Sequence, residues 1–138
     1  MPVDLKGKRI VVTGAATGIG RSTSLLVSDY GAKVAIFDVN ATEGANTVNN
    51  INELGGNARY WQVDVRDETA VSGAVEAAKN WLTDIDILIH VAGVLQGAGV
   101  EVDEFPENIW DTVLDTNLRG TFLLCKYVSS VMKQNKKG

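Results

Sequence analysis

The fold is decided by residues 9–20, which read RIVVTGAATGIG. The first five residues form a short apolar run that is typical of a buried strand. Glycines then recur at Gly14, Gly18 and Gly20, directly before a segment with helical periodicity. The side chains that recur at helical spacing in that segment are Ile19, Thr23, Leu26 and Tyr30. The stretch therefore predicts a strand, a tight glycine turn and a helix that ends before Gly31.

The rest of the chain repeats this alternation of a short apolar run and a longer helical pattern. Strands are predicted at 33–38, 58–63 and 85–91, and helices at 41–54, after Asp67 to Leu82, and at 107–134. Strands that are apolar on both faces are typical of a parallel sheet covered by helices on both sides. We therefore predict an α/β fold, a Rossmann-type doubly wound parallel sheet with strand order 3-2-1-4.

Composition narrows the class of protein and of partner. A chain of 138 residues predicts one domain, and its net charge of -4 gives no reason to expect a nucleic acid or an anionic membrane as partner. No stretch approaches the ~20 apolar residues of a membrane span, and residues 1–8 carry no apolar signal region. Cys125 is the one cysteine, so the sequence needs no oxidising compartment. A cytoplasmic location is expected, and no metal site is predicted.

The glycine turn carries the features that a dinucleotide pyrophosphate requires. Backbone N–H groups at a helix N-terminus are donors in a favourable dipole field. Gly14 permits a sharp turn, Gly18 lets the backbone approach the pyrophosphate, and Gly20 permits close packing of helix on strand. We assign the cofactor contacts to Gly14, Thr17, Gly18, Ile19 and Gly20. The alternative is a flexible turn that binds no ligand.

Asp38 is the next cofactor-binding candidate. It ends the second strand, eighteen residues after Gly20 (38 − 20), where a carboxylate accepts hydrogen bonds from the adenosine ribose hydroxyls. Its charge would repel the 2′-phosphate of NADP, and Val39 offers no positive charge to offset that repulsion. NAD is therefore the expected cofactor and NADP the less favoured one. The alternative is that Asp38 caps the turn after the strand.

Taken together, the motifs resemble the N-terminal, cofactor-binding half of the short-chain dehydrogenase/reductase family. The resemblance rests on glycines spaced four then two, Asp64-Val65 after the third strand, Ala92-Gly93 after the fourth, and Asn117 in the long helix. It implies that Asp64 and Val65 lie against the adenine and that Ala92 and Gly93 lie near the cofactor ribose. It also implies that Asn117 belongs to the catalytic set and supports a proton relay through water.

Asn117 is unusual on physical grounds as well. A carboxamide on an apolar helix face needs hydrogen-bond partners, or it costs roughly 1–3 kcal/mol. The side chains that share its predicted face are Val113, Leu114, Thr121, Leu124 and Val128. The alternative to a catalytic role is an ordinary core amide with satisfied partners.

Two features depart from the family pattern. The family usually has two asparagines where this chain has His90 and Val91, and we interpret His90 as a hydrogen-bonded packing residue rather than a catalytic base. The family's catalytic Ser and Tyr-x-x-x-Lys lie downstream of the long helix, and none of the three tyrosines here is followed four residues later by Lys. We therefore expect residues 1–138 to be the N-terminal part of a larger single domain, ending before the fifth strand and inactive alone.

The leading hypothesis is an NAD-dependent oxidoreductase that interconverts an alcohol and a ketone or aldehyde by hydride transfer. The resemblance also implies a small-molecule substrate and a homo-oligomer. The alternative is a non-catalytic module that binds or senses NAD. A flavodoxin-type nucleotide-binding domain is disfavoured by Asp38 and by the order of the motifs.

Overall fold

Four parallel strands form the centre of the computed structural model, which describes residues 4–136 and residue 138. The strands are β1 (Arg9–Thr13), β2 (Lys33–Asp38), β3 (Asn57–Gln62) and β4 (Ile87–His90). They pair in the order β3-β2-β1-β4, and every pairing is parallel. The predicted strand order is confirmed, although β4 is shorter than the predicted strand at 85–91.

Helices connect the strands and follow the last one. They are α1 (Gly18–Asp29), α2 (Ala41–Glu53), α3 (Glu68–Leu82), α4 (Glu107–Leu114) and α5 (Gly120–Asn135), with a short 3-10 turn at Val102–Glu104. Asn40 caps α2 by accepting from the N–H of Glu43, and Asp67 caps α3 by accepting from Thr69 and Ala70. None of the helices in residues 4–136 is both long and apolar enough to cross a lipid bilayer.

The sheet divides the hydrophobic core into two layers. Successive residues of a strand point to opposite faces, so Val11 and Phe37 pack with α3 and α5, while Ile10, Val12 and Ile36 pack with α1 and α2. All five side chains are fully buried. Burial of each such side chain contributes roughly 1.5–3 kcal/mol, which fixes the sheet between its helices.

The buried face of α1 differs from the one that the apolar periodicity indicates. Ile19 and Leu26 are exposed, whereas Gly20, Ser24 and Val27 are buried. The Ser24 hydroxyl donates to the carbonyl oxygen of Gly20 at 2.8 Å, so its burial leaves no unpaired group. Small side chains on this face let the helix lie close to the sheet.

The prediction of one continuous helix over 107–134 is wrong in one respect, because a π-helical stretch at Asp115–Arg119 separates α4 from α5. The hydroxyls of Thr112, Thr116 and Thr121 each donate to the carbonyl oxygen four residues earlier, a pattern that bends helices. Asn117 lies inside the stretch and binds the backbone of Val94. Such insertions occur frequently at functional sites.

An ionic clamp formed by Arg9, Asp84 and Asp86 joins the amino ends of β1 and β4. The Arg9 Nε and Nη2 atoms donate to the Asp86 carboxylate at 2.8 and 2.7 Å, and Nη2 also lies 3.2 Å from Asp84 Oδ2. The hydrogen bonds from Arg9 lower the pKa of Asp86 to about 2. Because both aspartates are largely buried, the clamp supports the edge strand β4.

Candidate functional site

The glycine turn lies at the carboxyl end of β1, and its glycines differ in their surroundings. Gly14 has a φ of +62°, and a Cβ there would lie 2.7 Å from the backbone nitrogen of Ala92. A Cβ on Gly20 would collide with the carbonyl oxygen of Gly14. Gly18 has a φ of +54°, and nothing lies within 4 Å of its Cβ position. Two of the glycines therefore permit close packing, and the third faces open space.

That open space is a cavity of about 660 Å³ at the carboxyl ends of the strands. Every residue predicted to bind the cofactor lines it: Gly14, Thr17, Gly18, Ile19, Gly20, Asp38, Asp64, Val65, Ala92 and Gly93. The wall also contains residues that the sequence analysis did not assign to the cofactor: Phe37, Val39, Val63, Arg66, Val91, Val94, Thr112 and Thr116. The structure thus brings the separate motifs together at one place.

The first turn of α1 lies against this cavity. Thr17 is the N-cap residue, and within the described part of the chain no side chain caps the helix and no acidic residue lies in its first turn. By contrast, α2 and α3 have capping side chains and an acidic residue in the first turn. The N–H groups at the start of α1 therefore remain available as donors, in a field that favours an anion.

Asp38 is held rigidly at the end of β2. Its Oδ2 accepts from the N–H of Ala16 in the glycine turn at 2.9 Å, and its Oδ1 accepts from the N–H of Asn40 at 2.9 Å. The Tyr60 hydroxyl donates to its carbonyl oxygen at 2.8 Å. Asp38 therefore does cap the following turn, and it also presents its carboxylate to the cavity, beside the exposed side chain of Val39. Each oxygen retains a further lone pair for a hydroxyl donor.

Asp64 and Arg66 form an ion pair in the cavity wall after β3. The Arg66 Nη2 and Nε atoms donate to the Asp64 carboxylate at 2.7 to 3.1 Å, and the backbone N–H of Arg66 donates to Asp64 Oδ1 at 3.0 Å. These hydrogen bonds lower the pKa of Asp64 and raise the pKa of Arg66. Val65 between them is buried against Gly120, where a Cβ would lie 2.7 Å from Val65 Cγ2. The sequence analysis did not assign Arg66 to the site, and the short pattern Asp64-x-Arg66 is the local signal that could have identified it.

Thr13 and His90 join the carboxyl ends of β1 and β4. The Thr13 hydroxyl oxygen accepts from the N–H groups of Val91 and Ala92 at 3.1 and 3.2 Å, and it lies 2.7 Å from His90 Nδ1. With the Thr13 hydroxyl as the donor to Nδ1, the imidazole proton lies on Nε2, which is buried and has no hydrogen-bond partner among the described residues. Burial lowers the pKa of His90, so the ring is neutral at pH 7. His90 is hydrogen-bonded within the sheet through Nδ1 and is not among the residues that line the cavity.

Asn117 binds the loop that follows β4. Its Nδ2 donates to the carbonyl oxygen of Val94 at 2.9 Å, and the N–H of Val94 donates to its Oδ1 at 2.8 Å. A Cβ on Gly93 would lie 3.2 Å from that same Oδ1. The side chain is exposed rather than buried in an apolar face, and it lies within the π-helical stretch. Its carboxamide therefore holds the loop beside the cavity.

A protein-family model described as short chain dehydrogenase matches residues 8–138. The chain belongs to the short-chain dehydrogenase family. An uncharacterized oxidoreductase of Bacillus subtilis is 40% identical over 131 residues, which are 95% of this chain and 48% of that protein. The (+)-borneol dehydrogenase 1 of Salvia officinalis is 37% identical over 134 residues, which are 97% of this chain and 50% of that protein.

A solved structure supports the same assignment of fold. The NAD+-bound xylitol dehydrogenase superposes on this short-chain dehydrogenase chain with a TM-score of 0.93 and 33% sequence identity, covering 99% of this chain and 52% of that one. The chain spans about half the length of the curated relatives it matches. The relatives named here are oxidoreductases, and the matched residues 8–138 of this chain include the glycine turn and the residues that line the cavity.

Proposed function

We propose that this chain is the NAD-binding part of an oxidoreductase that interconverts an alcohol and a ketone or aldehyde by hydride transfer. The observation that carries the proposal is the uncapped N-terminus of α1 beside Gly18, whose Cβ position opens into the cavity. A pyrophosphate placed there would accept hydrogen bonds from the N–H groups of residues 18–20 without meeting a side chain. The cofactor, when bound, supplies or accepts the hydride.

The remaining wall residues fit the adenosine and ribose ends of a dinucleotide. Asp38 and the loop at Asp64 flank the adenosine side of the glycine turn, while Ala92 and Gly93 lie across the turn on the β4 side. Asn117 is proposed as a positioning residue, since its carboxamide fixes the loop at Val94. Proton transfer is not assigned to residues 1–138, because they contain no Tyr-x-x-x-Lys pair.

The fixed carboxylate of Asp38 favours NAD over NADP. A ribose 2′-hydroxyl would donate to it, whereas a 2′-phosphate would meet like charge in a site where the carboxylate cannot turn away, because Ala16 and Asn40 hold both oxygens. The small-molecule substrate is proposed to be an alcohol or ketone. The names of relatives such as the borneol and D-threitol dehydrogenases are consistent with that class.

The test is cofactor binding and turnover by the protein at its full natural length. Calorimetry should show tighter binding of NAD+ than of NADP+, and a panel of alcohols should yield NADH. In Asp38→Asn, NAD+ affinity should fall about 10- to 100-fold, the effect of losing hydrogen bonds to a charged group. Asp29→Asn, an exposed change on α1, is the matched control. NAD+ binding without any turnover would favour the non-catalytic module, and no binding at all would refute the proposal.

A homo-oligomer is proposed on the basis of an exposed apolar stripe along α4, the π-helical stretch and α5. Trp110, Leu114, Leu118 and Phe122 recur at every fourth position and are 58%, 38%, 67% and 60% exposed in this chain. Contiguous exposed apolar side chains on a helix are typical of a surface that another element covers. Light scattering on the natural-length protein measures its mass, and a monomeric mass would refute this proposal.

A further inference from the structure

His90 is a titratable residue at the junction of β1 and β4, and the proposed function gives it no role. It pairs with Thr13 across the two strands, and its Nδ1 atom lies 2.7 Å from the Thr13 hydroxyl oxygen. Thr13 directly precedes the glycine turn, and His90 directly precedes the loop that contains Ala92. A change of protonation at His90 would therefore act where two backbone segments of the cavity wall meet.

The Thr13 hydroxyl leaves His90 one hydrogen-bonding role. Its oxygen has two lone pairs, which accept from the backbone N–H groups of Val91 and Ala92 at 3.1 and 3.2 Å. The hydroxyl proton is then donated to Nδ1 of a neutral ring. Nε2 is buried without a partner among the described residues whichever nitrogen carries the proton, so it does not alter this assignment. A protonated ring would donate at Nδ1, and three N–H donors would then compete for two lone pairs.

The hydrogen bonds to Thr13 hold the loop after β4 against the glycine turn. A Cβ on Gly14 would lie 2.7 Å from the backbone nitrogen of Ala92, so the two backbones are in close contact. Ala92 and Gly93 line the cavity on this side. Release of an N–H group from Thr13 would therefore change the cavity wall near β4, whereas the hydrogen bonds of Asp38 on the other side would be unaffected.

The surroundings of His90 leave burial as the cause of its lowered pKa, and no charged group among the described residues contributes to that shift. The buried side chains of α5, the helix packed on this face of the sheet, are apolar. The titratable or charged groups on β1, α5, the π-helical stretch, the residue before β4 and the cavity wall are Arg9, Asp38, Asp64, Arg66, Asp86, Asp115, Arg119, Cys125, Lys126, Tyr127 and Lys133. The ring therefore takes up its proton only in acid solution.

We propose that His90 is a positioning residue that makes the β4 side of the cofactor site sensitive to protons. The inference rests on the proposed function and adds to it. The neutral ring accepts from Thr13 and leaves both lone pairs of that oxygen to the loop, whereas the protonated ring displaces a loop N–H group. NAD+ binding should therefore weaken in acid. Binding of ADP should not, because ADP would reach only the glycine turn and the side of the cavity at Asp38.

The first experiment is a nitrogen NMR titration of the isotope-labelled, natural-length protein, in which the His90 signals are those missing from His90→Asn. At neutral pH the ring should carry its proton on Nε2, and acid should protonate Nδ1. Calorimetry over the same pH range then measures the affinities of NAD+ and ADP. As His90 is protonated, NAD+ affinity should fall about 3- to 10-fold, the effect of one lost hydrogen bond, with the midpoint of the NMR titration. ADP affinity should change less than about twofold.

Two variants separate the acceptor at Nδ1 from the rest of the ring. In His90→Asn the Oδ1 atom lies as many bonds from Cα as Nδ1 does, so it can accept from Thr13, and it does not titrate. This variant should lose the acid weakening and bind NAD+ within about threefold of the wild type at neutral pH. His90→Leu has no acceptor, so it should bind NAD+ about 3- to 10-fold more weakly at every pH. If the leucine variant does not fold, the asparagine variant and the NMR titration still decide.

The outcomes distinguish this inference from the proposed function. If the wild-type protein binds neither NAD+ nor ADP, both proposals are refuted. If the wild type binds NAD+, three results would each refute the role of His90 alone: a ring proton on Nδ1 at neutral pH, an NAD+ affinity that does not follow the protonation of His90, or an acid dependence that persists in His90→Asn. An equal loss of ADP binding in acid would also refute it, since the effect would then not be confined to the β4 side.

Discussion

Replacing Gly18 by alanine separates the folding role of the glycine turn from its binding role. The residue has a φ of +54°, and an alanine in this left-handed region costs about 1–2 kcal/mol. No atom lies within 4 Å of the new methyl group, so no clash adds to that cost. The melting temperature should therefore fall by roughly 3–8 °C, and the protein should remain folded. The methyl group would occupy the space proposed for the pyrophosphate, so NAD+ affinity should fall at least about tenfold.

Thermal melts of natural-length Gly18→Ala, with and without NAD+, test both parts. The wild type should be stabilised by ligand as its concentration exceeds the dissociation constant, and the variant should lose most of that gain. Gly7→Ala is the matched control, because Gly7 has a φ of +75°, nothing within 4 Å of its Cβ position and no place in the cavity wall. It should show the same loss of stability with unchanged affinity. Gly18→Ala protein that binds NAD+ as the wild type does would refute the placement of the pyrophosphate.

Three further changes test other parts of the structure. Arg9 lowers the pKa of Asp86 from 3.8 to about 2, so the ionised carboxylate stabilises the fold above pH 4 and this stabilisation is lost as the pH falls towards 2. Measured by urea unfolding, the free energy of unfolding should therefore fall between pH 4 and pH 2 by about 2 kcal/mol less in Asp86→Asn than in the wild type. Asn117→Ala removes two hydrogen bonds to Val94 and should speed hydrogen exchange of the Val94 amide about fivefold, and unchanged exchange would argue against its positioning role. Gly20→Ala should yield little folded protein on circular dichroism, since its Cβ collides with backbone rather than with a movable side chain.

β1 and β2 could be predicted from the sequence because each is a short apolar run, and burial on both faces leaves such a run few alternatives. β3 reads NARYWQ and is exposed at Asn57, Arg59 and Gln62, so its prediction rested on fewer apolar residues.

The helix face of α1 could not be read from hydropathy. Its buried residues are Gly20, Ser24 and Val27, whereas the larger side chains of Ile19 and Leu26 face outward. Close approach to the sheet selected small residues there, and hydropathy does not measure size.

The places of the glycines and Asp38 in the cavity wall could be predicted because they depend on local backbone position, which is encoded in short spacings. The places of Thr112 and Thr116 could not be predicted, since they depend on which helix the fold brings to the cavity, and for Arg66 the only local signal was the short pattern Asp64-x-Arg66. The interruption of the long helix was missed for a related reason. It accompanies a contact between Asn117 and Val94, two residues that lie far apart in sequence.

The ionic clamp at Arg9 lies at the amino ends of β1 and β4, whereas the cavity lies at their carboxyl ends. Four residues of strand β1 and the buried layers around them separate the two. Sequence change at the rim of the cavity can therefore proceed without disturbing the contacts that secure the edge strand. An engineer who wishes to change the proposed cofactor preference can therefore vary the residues at the carboxyl ends of the strands and keep those at the amino ends unchanged.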